Sequence, residues 1–208
     1  LYTYKSSGNG MANTLKHTRH VSSGLILMAL ASQAQAGPFD FVIGAGYDFG
    51  GETMSTVQFT NGDSDKIESN EGLLIYGGVD VPVAESWRAR ATVGYKGTSV
   101  DGSNGEVTFE RVPFELLGLY NIDNHNLGLG LTYHTGVEYK CDISNSCNYT
   151  IEFEDSLGFI AQYEYQFHVG KDNRLALGAR YTHIDYEVKG VDYTVDSGGF
   201  GLNISFLF

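Results

Sequence analysis

The sequence predicts an all-β fold, an eight-stranded antiparallel up-and-down transmembrane β-barrel, and three observations predict it. After residue 37 the chain falls into eight stretches where apolar and polar residues alternate with a period of two, and helical periodicity is almost absent. The connections between these stretches alternate long and short. The last stretch, residues 200–208, sends Phe200, Leu202, Ile204, Phe206 and Phe208 to one face and Gly201, Asn203 and Ser205 to the other; Leu207 is the one exception. On a soluble domain such a terminal strand would be a template for aggregation. Facing lipid, in a closed barrel that pairs both its edges, it is stable.

The amino-terminal segment predicts export. From Met11, the residues Lys16, His17, Arg19 and His20 form a basic region, residues 25–31 a short apolar run, and Ala34 to Ala36 a small-residue cleavage site. Residues 11–36 are therefore expected to be a signal peptide, with the mature barrel spanning 37–208. The apolar run is too short for a helical span. Residues 1–10 read as an upstream extension of unknown origin.

The first strand alternates Phe39, Phe41, Ile43, Ala45, Tyr47 and Phe49 with small or acidic residues. After a polar stretch at 51–70, Leu73, Ile75, Gly77, Val79 and Val81 form the second outward row. A short turn at 82–86 leads to Ala89, Ala91, Val93 and Tyr95. The loop at 100–105 precedes Val112, Phe114, Leu116, Gly118 and Tyr120. A turn at 121–126 is followed by the odd-numbered residues from Leu127 to Tyr139 as the fifth row, and those from Tyr149 to Phe167 read as one continuous sixth row. Leu175, Leu177, Ala179 and Tyr181 make the seventh, and residues 200–208 the eighth. The even count puts both ends of the barrel at the side of the short turns. Tyrosines and phenylalanines near strand ends, such as Tyr95, Tyr120, Tyr133, Tyr163 and Phe167, suit interfacial girdles.

Periodicity alone leaves open which face is inside, since a soluble lipocalin-like barrel would turn its apolar face inward around a ligand. The export signal, the terminal Phe and the glycine-rich polar face favour the membrane reading. On that register the lumen receives Arg88, Arg90, Lys96, Arg111 and Arg180 together with Asp48, Asp80, Glu115, Glu138, Glu152, Glu154 and Glu164, an acidic excess. Arg88, Arg90, Arg111 and Arg180 are expected to fork onto Glu115, Glu138, Glu152 and Glu164. Eight strands leave an interior that side chains fill, so a salt-bridged plug is expected rather than an open pore.

Of the 13 basic and 25 acidic side chains, residues 1–36 hold Lys5, Lys16 and Arg19 but no acid, which leaves the mature part at a formal charge of −15. That balance excludes nucleic acid as a partner, because neutralising phosphates takes clustered Lys and Arg. Cys141 and Cys147 enclose five residues and fit a small disulfide loop in an oxidising compartment. The acidic residues Glu52, Asp63, Asp65, Glu68 and Glu71 offer hard oxygen ligands but no calcium-loop signature, so neither a metal nor another cofactor is expected. Residues 181–185 invite comparison with the lipid A deacylases, which carry a Ser two residues after a His. Here Asp185 stands two after His183, and no nucleophile–base pair is visible; no enzyme activity is expected.

Taken together, the eight rows, residues 178–186 and residues 203–208 resemble the OmpA-like and OmpX-like outer-membrane β-barrel domain family, including opacity-type surface proteins. The resemblance covers residues 39–208. Phe206 and Phe208 resemble the terminal signal read by the barrel-assembly machinery. It implies a multi-pass protein of the Gram-negative outer membrane. The expected partners are outer-membrane lipids, lipopolysaccharide and the assembly machinery, with a host or neighbouring-cell ligand at the external loops. No peptidoglycan-binding domain is read in the sequence, so envelope tethering by that route is not expected. The implied role is structural or interactive (adhesion, envelope integrity or serum interaction). A small pore or transporter is the alternative, followed by a lipid A-modifying enzyme.

Overall fold

The computed structural model describes residues 3–5, 39–58, 64–102 and 104–208. The expected signal peptide and Asp63 lie outside the described residues. The described strands, in chain order, are β1 (Thr3–Lys5), β2 (Asp40–Gly50), β3 (Thr53–Gln58), β4 (Ser64–Glu68), β5 (Gly72–Ala84), β6 (Trp87–Gly102), β7 (Gly105–Ile122), β8 (His125–Ile143), β9 (Cys147–Glu152), β10 (Ser156–Val169), β11 (Asn173–His183), β12 (Asp185–Glu187), β13 (Thr194–Asp196) and β14 (Gly199–Leu207). Eight of them close a barrel in the order β2-β5-β6-β7-β8-β10-β11-β14, each antiparallel to its neighbours. β14 pairs back onto β2, and Phe41 and Phe208 exchange backbone bonds of 2.9 and 3.0 Å to lock the seam. Closure leaves no free stave edge, which is the condition for a sheet to sit in an apolar medium. The short connections and the start of β2 lie together at one end, the turn end; the long connections lie at the other, the loop end.

Side-chain direction follows the alternation. Leu129 (73% exposed), Phe159 (67%) and Leu202 (63%) point out from the wall, whereas Asp80, Arg90 and Glu164 are buried within it. An apolar belt thus surrounds the barrel, edged by aromatic rings. At the turn end Trp87 packs on Tyr120 at 5.0 Å between ring centroids, and Phe206 stacks on Phe208 at 5.9 Å. At the loop end Tyr181 packs on Phe200 at 5.0 Å. The exception in the last strand, Leu207, points inward and packs with Val42, Ala176 and Tyr76 at the bottom of the lumen.

β2, with 11 residues, has the length a tilted strand needs to cross a bilayer core. β6, β7 and β8, with 16, 18 and 19 residues, overshoot it and rise beyond the belt. There the β3–β4 and β12–β13 hairpins and β9 gather against them; β1 pairs in parallel with β3.

Above the belt, two expectations from simple alternation fail. The pairing of β7 with β8 shifts between Glu110 and Val112, and Gly136 on the opposite strand adopts a φ of +58°. One extra residue in β8 reverses the direction of every side chain beyond it. Val137 and Tyr139, expected outward, are buried, and Glu138, expected in the lumen, is exposed. The expected sixth row is also not continuous. The chain leaves regular pairing at Glu154 and Asp155, so that β9 and β10 have opposite parity. Phe153 is therefore buried, while Glu152 and Glu154 face outward instead of entering the lumen. The acidic excess expected inside the lumen leaves with them: the buried carboxylates Asp48, Asp80, Glu115 and Glu164 face the buried cations Arg90, Lys96, Arg111 and Arg180.

Candidate functional site: a filled lumen beneath an apolar cap

From the turn end upward, the lumen is a stack of ion pairs. Arg88 contacts both Asp40 and Asp80, and Arg174 also contacts Asp40, so the first stave is tied to the third and the seventh. Arg90 donates from Nε to Asp80 at 2.8 Å and forks onto Glu164 with bonds of 2.5 and 3.0 Å. Gln162 donates to the same carboxylate at 2.6 Å. One level higher, Arg180 holds Glu115, and Lys96 bridges Asp48 at 2.6 Å and Asn70 at 2.9 Å. These partners come from different staves because inward positions at matching heights face each other across a narrow bore. Apolar side chains share the space: Leu117, Leu119 and Ile160 cluster among the charged groups. The bore is packed.

Arg111 closes the stack without a carboxylate. It is fully buried, donates to the backbone carbonyl of Glu71 at 2.9 Å, and lies over the Phe109 ring at 4.4 Å. The stacked guanidinium marks the boundary between two media. Above it the overshooting strands and loops form an apolar core of Ile67, Val107, Phe109, Val137, Tyr139, Phe153, Ile184, Tyr186 and Val195. Phe109 meets Phe153 and Tyr186 edge to face, with centroids 5.9 Å apart, and Phe153 meets Tyr186 at a tilt at 6.1 Å. Burial in this cap pushes the Tyr186 hydroxyl up to about 12, so it stays protonated, and it shares a 2.5 Å hydrogen bond with Nδ1 of His134. Cys141 and Cys147 are joined, their Cα atoms 5.7 Å apart; Cys141 is part of the cap core, so the bond anchors the β8–β9 hairpin to it.

Of the residues picked out from the sequence, Arg90, Arg111, Arg180, Glu115 and Glu164 lie in the lumen, and Arg88 at its turn-end mouth. Glu138 and Glu152 are paired across strands on the outside of the cap. Lys189 reaches Glu152 at 3.1 Å, and this hydrogen bond raises the lysine's affinity for its proton. The loop acids have structural partners: Glu68 accepts from Gly50 N at 3.0 Å and Glu71 from the Tyr47 hydroxyl at 2.6 Å. Two further belt tyrosines follow the same pattern, Tyr95 donating to Glu110 at 2.5 Å and Tyr133 to Asp155 at 3.1 Å. Sequence reading missed this ring of tyrosine–carboxylate pairs and the roles of Asp40 and Arg174. The signal for Asp40 was present, an acid at the start of the first strand, but its partners are 48 and 134 residues away.

No family model matches the chain, and no curated protein does. Solved structures do. The outer membrane protein OprG of Pseudomonas aeruginosa aligns at a TM-score of 0.53 with 16% identity, over 84% of this chain and 97% of that one. Neisserial surface protein A aligns at 0.48 with 15% identity, over 84% and 100%. The attachment invasion locus protein Ail of Yersinia pestis, solved with a heparin analogue, aligns at 0.47 with 10% identity, over 82% and 97%. The likeness to OprG is one of fold: the chain has the closed eight-stranded architecture of small outer-membrane barrels.

Proposed function

We propose that this chain is a Gram-negative outer-membrane barrel with a structural or surface-interaction role borne by its loop end. One observation carries the reading: the bore is filled twice over, by the ion-pair stack from Arg88 to Arg180 and by the apolar cap above Arg111. A bore filled in this way leaves the exterior surfaces to do the work. The lipid-facing belt is generic, so specificity belongs to the acidic loop end. Its surface chemistry suits cationic partners, or lipopolysaccharide phosphates bridged by divalent cations. Phe206 and Phe208 at the closing seam suit recognition by the barrel-assembly machinery. Reconstitution into planar bilayers tests the reading: silence or rare small openings support it, and stable large conductance steps overturn it. Gene deletion followed by adhesion, serum-survival and envelope-stress assays then identifies the role.

A second reading, uptake of a small solute, has one observation in its favour. A shallow recess between β6, β7 and β8 is lined by Ala91, Phe114, Leu116, Leu131 and Tyr133 and reaches the lumen residues Thr92 and Glu115. Pro113, which lacks an N–H, interrupts the ladder at this seam. Solute-uptake assays in proteoliposomes, with Leu116→Trp filling the recess, separate this reading from the first.

A further inference from the structure

We propose that His183, Asp185 and Asp196 form a binding site for a first-row divalent cation of the zinc class, on the outer wall of the barrel just above the loop-end aromatic ring. One nitrogen of His183 and one oxygen from each aspartate lie within 4.8 Å of one another, and no other such group of three occurs among the described residues. The sequence carried two of these three residues, the His183 and Asp185 pair that fails as an acyl-transfer centre; the fold brings the third ligand from eleven residues further along.

The local structure explains the convergence. His183 ends β11 and Asp185 begins β12, on either side of the buried Ile184, so both side chains take the outward direction. Asp196 is the direct cross-strand partner of Asp185. Like charges placed directly opposite destabilise a strand pair, and a bound cation turns that repulsion into shared attraction. Hydrogen bonds tie the ligand-bearing segments together: Ser197 N donates to the Ile184 carbonyl at 2.9 Å, while the Asp196 carbonyl accepts from Ser69 Oγ at 2.6 Å and Glu52 N at 2.9 Å. Gly198 N donates to Oδ1 of Asp196 at 2.7 Å, which orients the carboxylate and leaves Oδ2 for a ligand bond.

The residue at 198 also keeps the site open. A Cβ there would stand 3.1 Å from Oδ1 of Asp196, 3.4 Å from Nδ1 of His183 and 3.5 Å from the Tyr181 hydroxyl. Donors around a tetrahedral zinc stand about 3.4 Å apart, a contraction that the exposed side chains supply by rotation. One imidazole with two carboxylates favours zinc-class ions over calcium or magnesium, which take oxygen alone. Three protein ligands leave positions free for water or a phosphate oxygen.

The test uses untagged, folded protein in detergent, with zinc chloride titrated by calorimetry and by competition with a chromophoric chelator. The expected result is saturable binding of one zinc per chain, weakened roughly tenfold or more in His183→Ala and Asp185→Asn and unchanged in the double variant His125→Gln, His168→Gln. Heat-modifiable migration on gels verifies that each variant is folded. Absence of saturable binding overturns the proposal. So does wild-type affinity in His183→Ala, or displacement of zinc by equimolar calcium, which would reduce the site to a general acidic surface.

Discussion

Replacing Arg90 by Ala tests the filled lumen most directly. Arg90 is 1% exposed and makes three hydrogen bonds, one to Asp80 and two to Glu164. After the substitution Asp80 keeps Arg88, but Glu164, itself fully buried, keeps only the neutral amide of Gln162. Removing one partner of a buried pair costs about 3–5 kcal/mol, because the other charge stays desolvated. With a urea slope of about 1–3 kcal/mol per molar, the unfolding midpoint should fall by about 1–5 M. The single tryptophan, Trp87, packs on Tyr120 at the turn end and reports the transition by fluorescence. Adding Glu164→Gln to Arg90→Ala should recover part of the loss, since a neutral amide no longer leaves an unpaired charge. A loss below about 1 kcal/mol, the worth of an exposed pair, would refute the packed lumen, as would no recovery in the double variant.

Three further outcomes follow from the same geometry. Ala91→Arg places a charge on the outward face and should hinder membrane insertion by about 2–4 kcal/mol; normal insertion, read by heat-modifiable migration, would mean the inside and outside faces are reversed. Gly136→Ala meets no atom within 4 Å, so its cost is that of a left-handed backbone alone, about 1–2 kcal/mol, and Gly136→Asn should cost less; equal stability of all three in urea would show that the bulge has moved. Replacing both Cys141 and Cys147 by Ser should lower stability by about 2 kcal/mol for so short a loop and speed proteolysis between β8 and β9, while the lower barrel keeps its protection.

What the sequence by itself determined was the barrel and its two faces. A period of two is a property of the strand, and it assigns Ala89, Ala91 and Val93 outward and Arg90 and Thr92 inward wherever pairing stays regular. Turn residues and strand lengths carried the count of eight. Tertiary structure decided everything above the belt. The extra residue at Gly136 and the break at Asp155 each reverse parity, and neither leaves a mark in local alternation, because a reversed row is still an alternating row. Only the gathered overshooting strands show that Val137, Tyr139 and Phe153 have a core to enter, and that Glu138 and Glu152 belong outside it. The ion pairs divide in the same way. Which residues point into the bore was legible in the sequence, whereas the pairing of Arg90 with Glu164, 74 residues away, depends on the stagger of the staves around the closed barrel. Arg111 was expected to find a carboxylate; at its height in the stack it meets the Phe109 ring, where the charged lumen gives way to the apolar cap.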